Sequence, residues 1–115
     1  MISMDREQLE KMTREYNALH EQLQNLALQR EQLAAQKADL EGAQKEIEAG
    51  KGKVYLAIGG AIVETEREKA MRDIKERLES SEMRAGIVKR QYDELSKKEQ
   101  SLRAEITAAL KESKG

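Results

Sequence analysis

Apolar residues recur with a heptad period over two long stretches of the chain. In the first stretch, which starts at Leu9, every d position is apolar over six heptads: Met12, Leu19, Leu26, Leu33, Leu40 and Ile47. A sustained period of 3.5 residues is typical of a supercoiled helix seam rather than of a globular amphipathic helix. The second stretch carries apolar residues at most of its a and d positions from Met71 to Ala109. The pattern predicts two long helices.

A short segment between the two heptad stretches follows a different pattern. Apolar and β-branched residues fill positions 54–58 and 61–63, and Gly59 and Gly60 separate the two runs. Two consecutive glycines can both adopt positive φ, which a two-residue type I′ turn requires. The segment therefore predicts one β-hairpin. This turn places Ile58 opposite Ala61, with the outer pairs following in order.

Such a hairpin needs partners that the rest of the chain does not supply. Both of its faces are largely apolar, and a lone two-stranded hairpin is only marginally stable in water. Its open edges are templates for further strand pairing. Because no other segment resembles a strand, we expect strands from other chains to complete the sheet. The predicted oligomerisation residues are Val54, Tyr55, Leu56, Ile58, Gly59, Ile62 and Val63.

The elements predict a mainly α fold in a single domain over residues 1–115. It comprises a helix at 3–49, the hairpin at 53–65 and a second helix at 66–112. Asp5 and Ser3 are alternative caps for the first helix.

Two helices of similar length joined by a hairpin most simply fold back as an antiparallel coiled coil. This arrangement places Leu23 near Tyr92 and Lys37 near Leu78. For the second helix, Thr65 and Glu68 match a capping box.

Three charged residues interrupt the predicted seam at a positions: Arg30, Lys37 and Glu99. They can pair with opposite charges and set the register of the helices. Alternatively, their stems lie along the seam and their charged groups reach water. The second interpretation is favoured for all three.

Apolar residues also occur where the helices meet the chain termini. Leu9 and Met12 belong to the first helix, Ile2 lies just before it, and Ile106 and Leu110 belong to the second helix. An exposed apolar tip could grip non-native protein, since methionine suits varied apolar partners. These residues can equally be the last layer of the seam, and their spacing does not decide between the two.

Composition narrows the possible functions. Charged residues make up 37% of the 115 residues and aromatic residues 3%, while 21 basic side chains nearly balance 22 acidic ones. This balance argues against nucleic acid as a partner, because binding to phosphates needs a basic surplus or patch. No apolar run approaches the length that crosses a membrane, and there is no cysteine. We expect a soluble cytoplasmic protein.

No candidate catalytic, metal or cofactor site is apparent in the sequence. His20 is the only histidine and falls beside the seam, without nearby residues that could act with it as a base or a ligand. Gly59 and Gly60 lack the lysine and the spacing of a phosphate-binding loop. The sequence therefore predicts a protein that is not an enzyme and needs no cofactor.

The arrangement of helix, single hairpin and helix resembles the β-type subunit of prefoldin. The residues that carry the likeness are Val54-Tyr55, Ile58-Gly59 and Ile62-Val63, followed by Glu64-Thr65 and Lys69-Ala70. Leu56 departs from the family, which commonly has a basic or polar residue there, and Ala61 is smaller than usual. These departures bear on which neighbour the hairpin joins.

The resemblance implies an assembly and a function. Prefoldins are hexamers of two α-type and four β-type subunits, whose hairpins form a β-barrel platform between subunits. Their coiled-coil tips hold unfolded proteins and pass them to a group II chaperonin without ATP. By position, the client-binding tip falls here on Ile2, Leu9, Met12, Ile106 and Leu110. The alternative is a scaffold or spacer subunit of a prefoldin-like assembly, which does not bind denatured protein.

Overall fold

The computed structural model describes residues 5–114, which form two long helices joined by a short hairpin. Helix α1 runs over Arg6–Ala49, strand β1 over Val54–Ile58, strand β2 over Ala61–Thr65 and helix α2 over Arg67–Lys114. The two strands make one antiparallel sheet. The predicted mainly α fold with one central hairpin is confirmed. Whether hairpins join into a barrel between subunits stays a prediction.

The chain divides into two compact units. The terminal unit comprises Met1–Arg30 and Val88–Gly115, and the hairpin unit comprises Glu31–Ile87. Each unit therefore contains a part of both helices. The hairpin and the connections to it belong to the hairpin unit.

Helix α1 begins at a reciprocal cap. The backbone N–H of Gln8 donates to Asp5 Oδ1 at 2.8 Å, and the N–H of Asp5 donates to Gln8 Oε1 at 3.2 Å. Two N–H groups that a helix start leaves without partners are satisfied in this way. Of the two caps that the sequence predicts, Asp5 is the one observed. Ser3 lies outside the described residues.

Burial follows the predicted heptads. All the a and d positions of both helices are buried or half-buried, except Arg30 and Lys37. In the terminal unit the buried residues are Leu23, Leu26, Val88 and Glu99, and in the hairpin unit they are Ala70, Ile74 and Ser81. The spacing of apolar residues therefore gave the correct seam. It did not identify Ala70, which lies just before the first a position and has no exposed surface.

The helices are antiparallel within the terminal unit. Arg103 donates to the hydroxyl of Tyr16 at 3.1 Å. The guanidinium of Arg30 lies over the ring of Tyr92, 5.3 Å from its centroid. Residue numbers on α2 thus fall as those on α1 rise, which is the predicted direction.

The hairpin unit shows the same direction and corrects the predicted register. The sequence predicts Leu78 as the neighbour of Lys37. In the structure, Lys37 Nζ instead lies 3.9 Å from Glu82 Oε1, and Glu82 is about one helical turn beyond Leu78. The reason is the position of the reversal. Lys37 lies 22 residues before Gly59, and Glu82 lies 22 residues after Gly60. Counting outward from the two turn glycines gives the observed pairing.

The strand register is confirmed and the turn type is corrected. Ile58 pairs with Ala61, and the pairs continue in order to Val54 with Thr65. Only Gly59 of the two turn glycines has a positive φ, of 58°. A type I′ turn needs positive φ at both central residues, whereas a type II′ turn needs it only at the first. The turn therefore has the φ pattern of type II′.

The start of α2 also differs from the prediction. The helix begins at Arg67, and the N–H of Ala70 donates to the carbonyl of Glu66 at 2.9 Å. Glu66 therefore occupies the capping position. Thr65 is the last residue of β2, paired with Val54. Thr65 is therefore paired in the sheet and does not cap the helix.

Candidate functional site

The hairpin exposes apolar side chains on both of its faces. On one face, Ile58 and Val63 are 60% and 46% exposed. On the other, Tyr55 and Ile62 are 56% and 77% exposed. Leu56 is half-buried, on the same face as Val63. A concentration of exposed apolar residues on a short sheet marks an interaction surface.

Each strand of the hairpin also keeps one edge open. Among the described residues, β1 and β2 pair only with each other. Their outer N–H and C=O groups are therefore available to further strands. At the base of the hairpin, Lys53 Nζ lies 3.8 Å from Glu64 Oε1. This ion pair marks the end of the apolar surface on the face that carries Tyr55.

Arg67 connects the end of α1 to the link that leads into the hairpin. One guanidinium nitrogen donates to the carbonyl of Ile47, and another donates to the carbonyl of Gly52 at 3.0 Å. The last turn of α1 contains no basic residue, and its carbonyls lack partners within the helix. Arg67 supplies both a donor and a positive charge there.

The predicted tip residues belong to the terminal unit. Leu9 and Met12 on α1 and Ile106 on α2 are half-buried, whereas Leu110 is 45% exposed. Ile2 lies outside the described residues. Burial of the first three agrees with seam positions near the ends of the helices. Their predicted role in client binding stays a prediction.

A polar cluster interrupts the seam of the terminal unit. Glu99 is only 8% exposed and accepts a hydrogen bond of 2.6 Å from Arg103. Arg103 also bonds to Tyr16, whose ring stacks on His20 with the centroids 6.1 Å apart. The hydrogen bond and the electrostatic interaction with Tyr16, followed by the charge of Glu99, raise the pKa of Arg103. Glu99 is thus largely shielded from water, contrary to the favoured prediction.

The other two charged residues at a positions show both of the predicted features, exposure to water and contact with the opposite helix. Arg30 is exposed and lies against Tyr92. Lys37 is exposed as well and lies 3.9 Å from both Glu41 and Glu82. Each keeps its charge in water and also contacts the opposite helix. Exposed pairs of this kind contribute little to stability.

The described residues hold no further arrangement that indicates chemistry. Residues 5–114 contain no group of three potential metal-ligating side chains. Within the same range, neither helix has a stretch apolar enough to cross a membrane.

Comparisons with known proteins agree with this geometry. A family model described as "Prefoldin subunit" matches residues 10–113. The prefoldin subunit beta of Pyrococcus abyssi is 32% identical over 106 residues, which cover 90% of this chain and 91% of that protein. The prefoldin subunit beta of Pyrobaculum islandicum is 30% identical over 109 residues, covering 93% and 87%.

A solved structure matches over almost the same length. The crystal structure of the prefoldin beta subunit from Thermococcus strain KS-1 superposes with a TM-score of 0.83 at 29% identity, and covers 96% of this chain and 97% of that one. The matches include both helices and the hairpin between them. The chain therefore belongs to the prefoldin subunit family, a family of non-enzymatic chaperone subunits, and its resemblance is to the β type.

Proposed function

We propose that this chain is a subunit of an ATP-independent holdase that binds unfolded proteins and delivers them to a group II chaperonin. The observation that carries the proposal is the hairpin, with four large apolar side chains exposed and both edges open. Such a surface requires partner chains. Because its prefoldin relatives are chaperone subunits, we expect the assembly that the hairpin forms to act as a chaperone.

The partners of the hairpin are an α-type prefoldin subunit and other copies of this chain. Two α-type and four β-type subunits would bring six hairpins into a barrel between subunits. Ile58, Val63, Tyr55 and Ile62 lose their exposure in such a barrel. The assembly works in the cytoplasm and needs no cofactor, nucleic acid or membrane.

In the proposed function, the ends of the two helices bind the client. Ile2, Leu9, Met12, Ile106 and Leu110 form an apolar tip that holds non-native protein through weak contacts. Several tips acting together raise affinity, because linked sites increase the effective concentration of each other. Release follows when the chaperonin competes for the client.

A scaffold subunit is the alternative function. The half-burial of Leu9, Met12 and Ile106 favours it, since these side chains already pack within the chain. A scaffold would assemble through the hairpin and would not hold denatured protein.

The role of the hairpin in assembly is tested by placing charges on the face that carries Ile58 and Val63. Ile58→Asp with Val63→Asp should leave the helical content unchanged and dissolve the assembly with the α-type subunit, because each carboxylate would have to be desolvated at the interface. Met83→Asp with Ile87→Asp is a matched control, as these residues are 71% and 43% exposed on α2 of the same unit. Light scattering measures the mass. An unchanged mass in the hairpin variant would count against assembly through the hairpin.

The holdase and the scaffold are separated by an aggregation assay. A chemically denatured client is diluted with and without the assembly, in the absence of ATP. Suppression is expected, and it should be lost when residues 1–12 and 106–115 are removed together. An intact hexamer that never suppresses aggregation would favour the scaffold, and suppression by the truncated form would move client binding away from the tip.

A further inference from the structure

A groove runs along one side of the terminal unit, between α1 and α2. It has two adjoining segments of about 580 and 440 Å³, and Gln22 lines both of them. Its floor consists of four leucines from d positions of the two helices: Leu19, Leu26, Leu95 and Leu102. We refer to this feature as the amide groove, for the side chains that border its second segment.

The second segment is bordered by primary amide side chains and by almost no charged residues. Gln22, Asn25 and Gln29 of α1 face Gln91 of α2, and Glu94 is the only charged residue lining this segment. The chain as a whole is 37% charged. All four amide side chains are exposed, and none makes a hydrogen bond with another described residue. Each therefore retains free N–H donors and a free carbonyl acceptor.

This combination matches the chemistry of an extended polypeptide. A non-native main chain presents unpaired N–H and C=O groups at every residue, and primary amides can satisfy both kinds. A leucine floor accepts apolar side chains of any shape. In the second segment, amides without charge do not select for the charge of the client, so this segment would recognise the main chain rather than a particular sequence. A protein that holds many clients needs that property.

The dimensions fit a short segment of chain. The lining residues on α1 run from Glu15 to Gln29, which corresponds to about 21 Å along a helix. An extended chain advances roughly 3.3 Å per residue, so about six residues fill the groove. Charge complementarity to nucleic acid is absent, because Glu15 and Glu94 offset Lys97 and Lys98 among the lining residues.

We propose that the amide groove binds an extended stretch of about six residues of non-native polypeptide, with the main chain on the amides and alternate side chains on the leucines. This inference rests on the proposed holdase function and adds to it a site other than the tip. Residues 15–29 of α1, rather than only its first two turns, then contact the client.

The first test changes the amides and keeps the shape. Gln29→Glu with Gln91→Glu removes amide donors and adds two charges to the groove. Gln24→Glu with Gln100→Glu makes the same chemical change at exposed positions outside it. Each variant is mixed with the α-type subunit, and its binding to a fluorescent unstructured peptide of leucine, alanine and serine is measured. The groove variant should bind about tenfold more weakly, equivalent to the loss of two hydrogen bonds, and the control should bind as the wild type does.

The second test needs no change in the protein. A depsipeptide with the same side chains replaces alternate N–H groups by ester oxygens, which removes donors without adding bulk. It should bind the wild type about tenfold more weakly than the peptide, and the difference should persist in the groove variant, because the glutamate carboxylates still accept hydrogen bonds from peptide N–H groups. Equal binding of peptide and depsipeptide by the wild type overturns main-chain recognition. Tighter binding of a peptide stapled as a helix overturns it too, in favour of a helical occupant.

The outcomes also separate this inference from the proposed function. If the wild-type assembly suppresses client aggregation and the groove variant does so equally well, with equal peptide affinity, the groove is not the site and the holdase stands. If the wild-type assembly neither suppresses aggregation nor binds the peptide, the holdase fails and the groove inference fails with it.

Discussion

The contact of Arg67 with the end of α1 allows a quantitative prediction. Replacing Arg67 by alanine removes two hydrogen bonds from a charged donor, one part-buried to Ile47 and one exposed to Gly52. A hydrogen bond to a charged group contributes about 1.5–3 kcal/mol when buried, and exposed charged contacts only a few tenths. We therefore expect Arg67→Ala to lower the free energy of unfolding by about 2 kcal/mol.

Thermal unfolding by circular dichroism gives the first measurement. For a chain of this size, 1 kcal/mol corresponds to roughly 4 °C, so the Tm should fall by about 8 °C at equal concentration of the assembled protein. Arg84→Ala is the matched control, since Arg84 is exposed on α2 of the same unit and contacts no described residue through a hydrogen bond or ion pair. Its Tm should stay within about 2 °C of the wild type. Arg67→Lys should fall between the two, because an ammonium group lacks the planar fork that reaches two carbonyls.

Amide hydrogen exchange locates the effect. Loss of Arg67 should increase exchange in residues 48–66, where α1 ends and the hairpin begins, and leave the terminal unit unchanged. If Arg67→Ala matches Arg84→Ala both in Tm and in exchange at these residues, Arg67 does not hold the hairpin. Uniformly faster exchange along the chain would show a general loss of stability instead of a local one.

Two further predictions concern positions where the structure corrected the sequence. Gly59→Ala should lower the Tm, because φ of 58° costs an alanine about 1–2 kcal/mol. Gly60→Ala should keep or raise it, as its φ is not positive and an added Cβ meets nothing within 4 Å; equal effects would contradict the type II′ pattern. Arg103→Ala should lower the Tm more than Glu99→Leu, since only the former leaves a buried carboxylate unpaired. The reverse order in thermal denaturation would show that the pair does not stabilise the seam.

Periodicity was sufficient to predict the elements and the seam. Heptad spacing identified which positions are covered along both helices, and the glycine pair gave the register of the hairpin from Ile58 with Ala61 outward. Both patterns depend only on local geometry, the helical repeat and the two-residue turn. The sequence was equally clear that the hairpin is apolar on both faces. Exposure of Ile62 and Tyr55 in the structure agrees with that pattern.

Contacts between elements were much less predictable. Arg67 resembles any charged residue at the start of a helix, and only the folded chain brings the end of α1 within its reach. Glu99 was expected to reach water, but Arg103 one turn later provides a partner that makes its burial tolerable. The amide groove gives no signal in sequence either, because Gln29 and Gln91 are far apart in the chain. One signal was available for the register, namely the distance of each residue from the turn glycines.

Assembly through the hairpin and binding in the amide groove make different demands, and a last prediction separates them. A six-residue segment on a single groove buries little surface, so each chain should hold a client only weakly. Several grooves on one assembly raise the affinity through effective concentration, without any new contact. Ile58→Asp with Val63→Asp should therefore bind a single short peptide as well as the wild type does, because its grooves are intact, yet fail to suppress aggregation of a long denatured client. Fluorescence titration with the peptide and light scattering of the client measure the two properties on the same preparation. Suppression that persists in the dissociated variant would show that one chain is enough, and avidity would then have no part in holding.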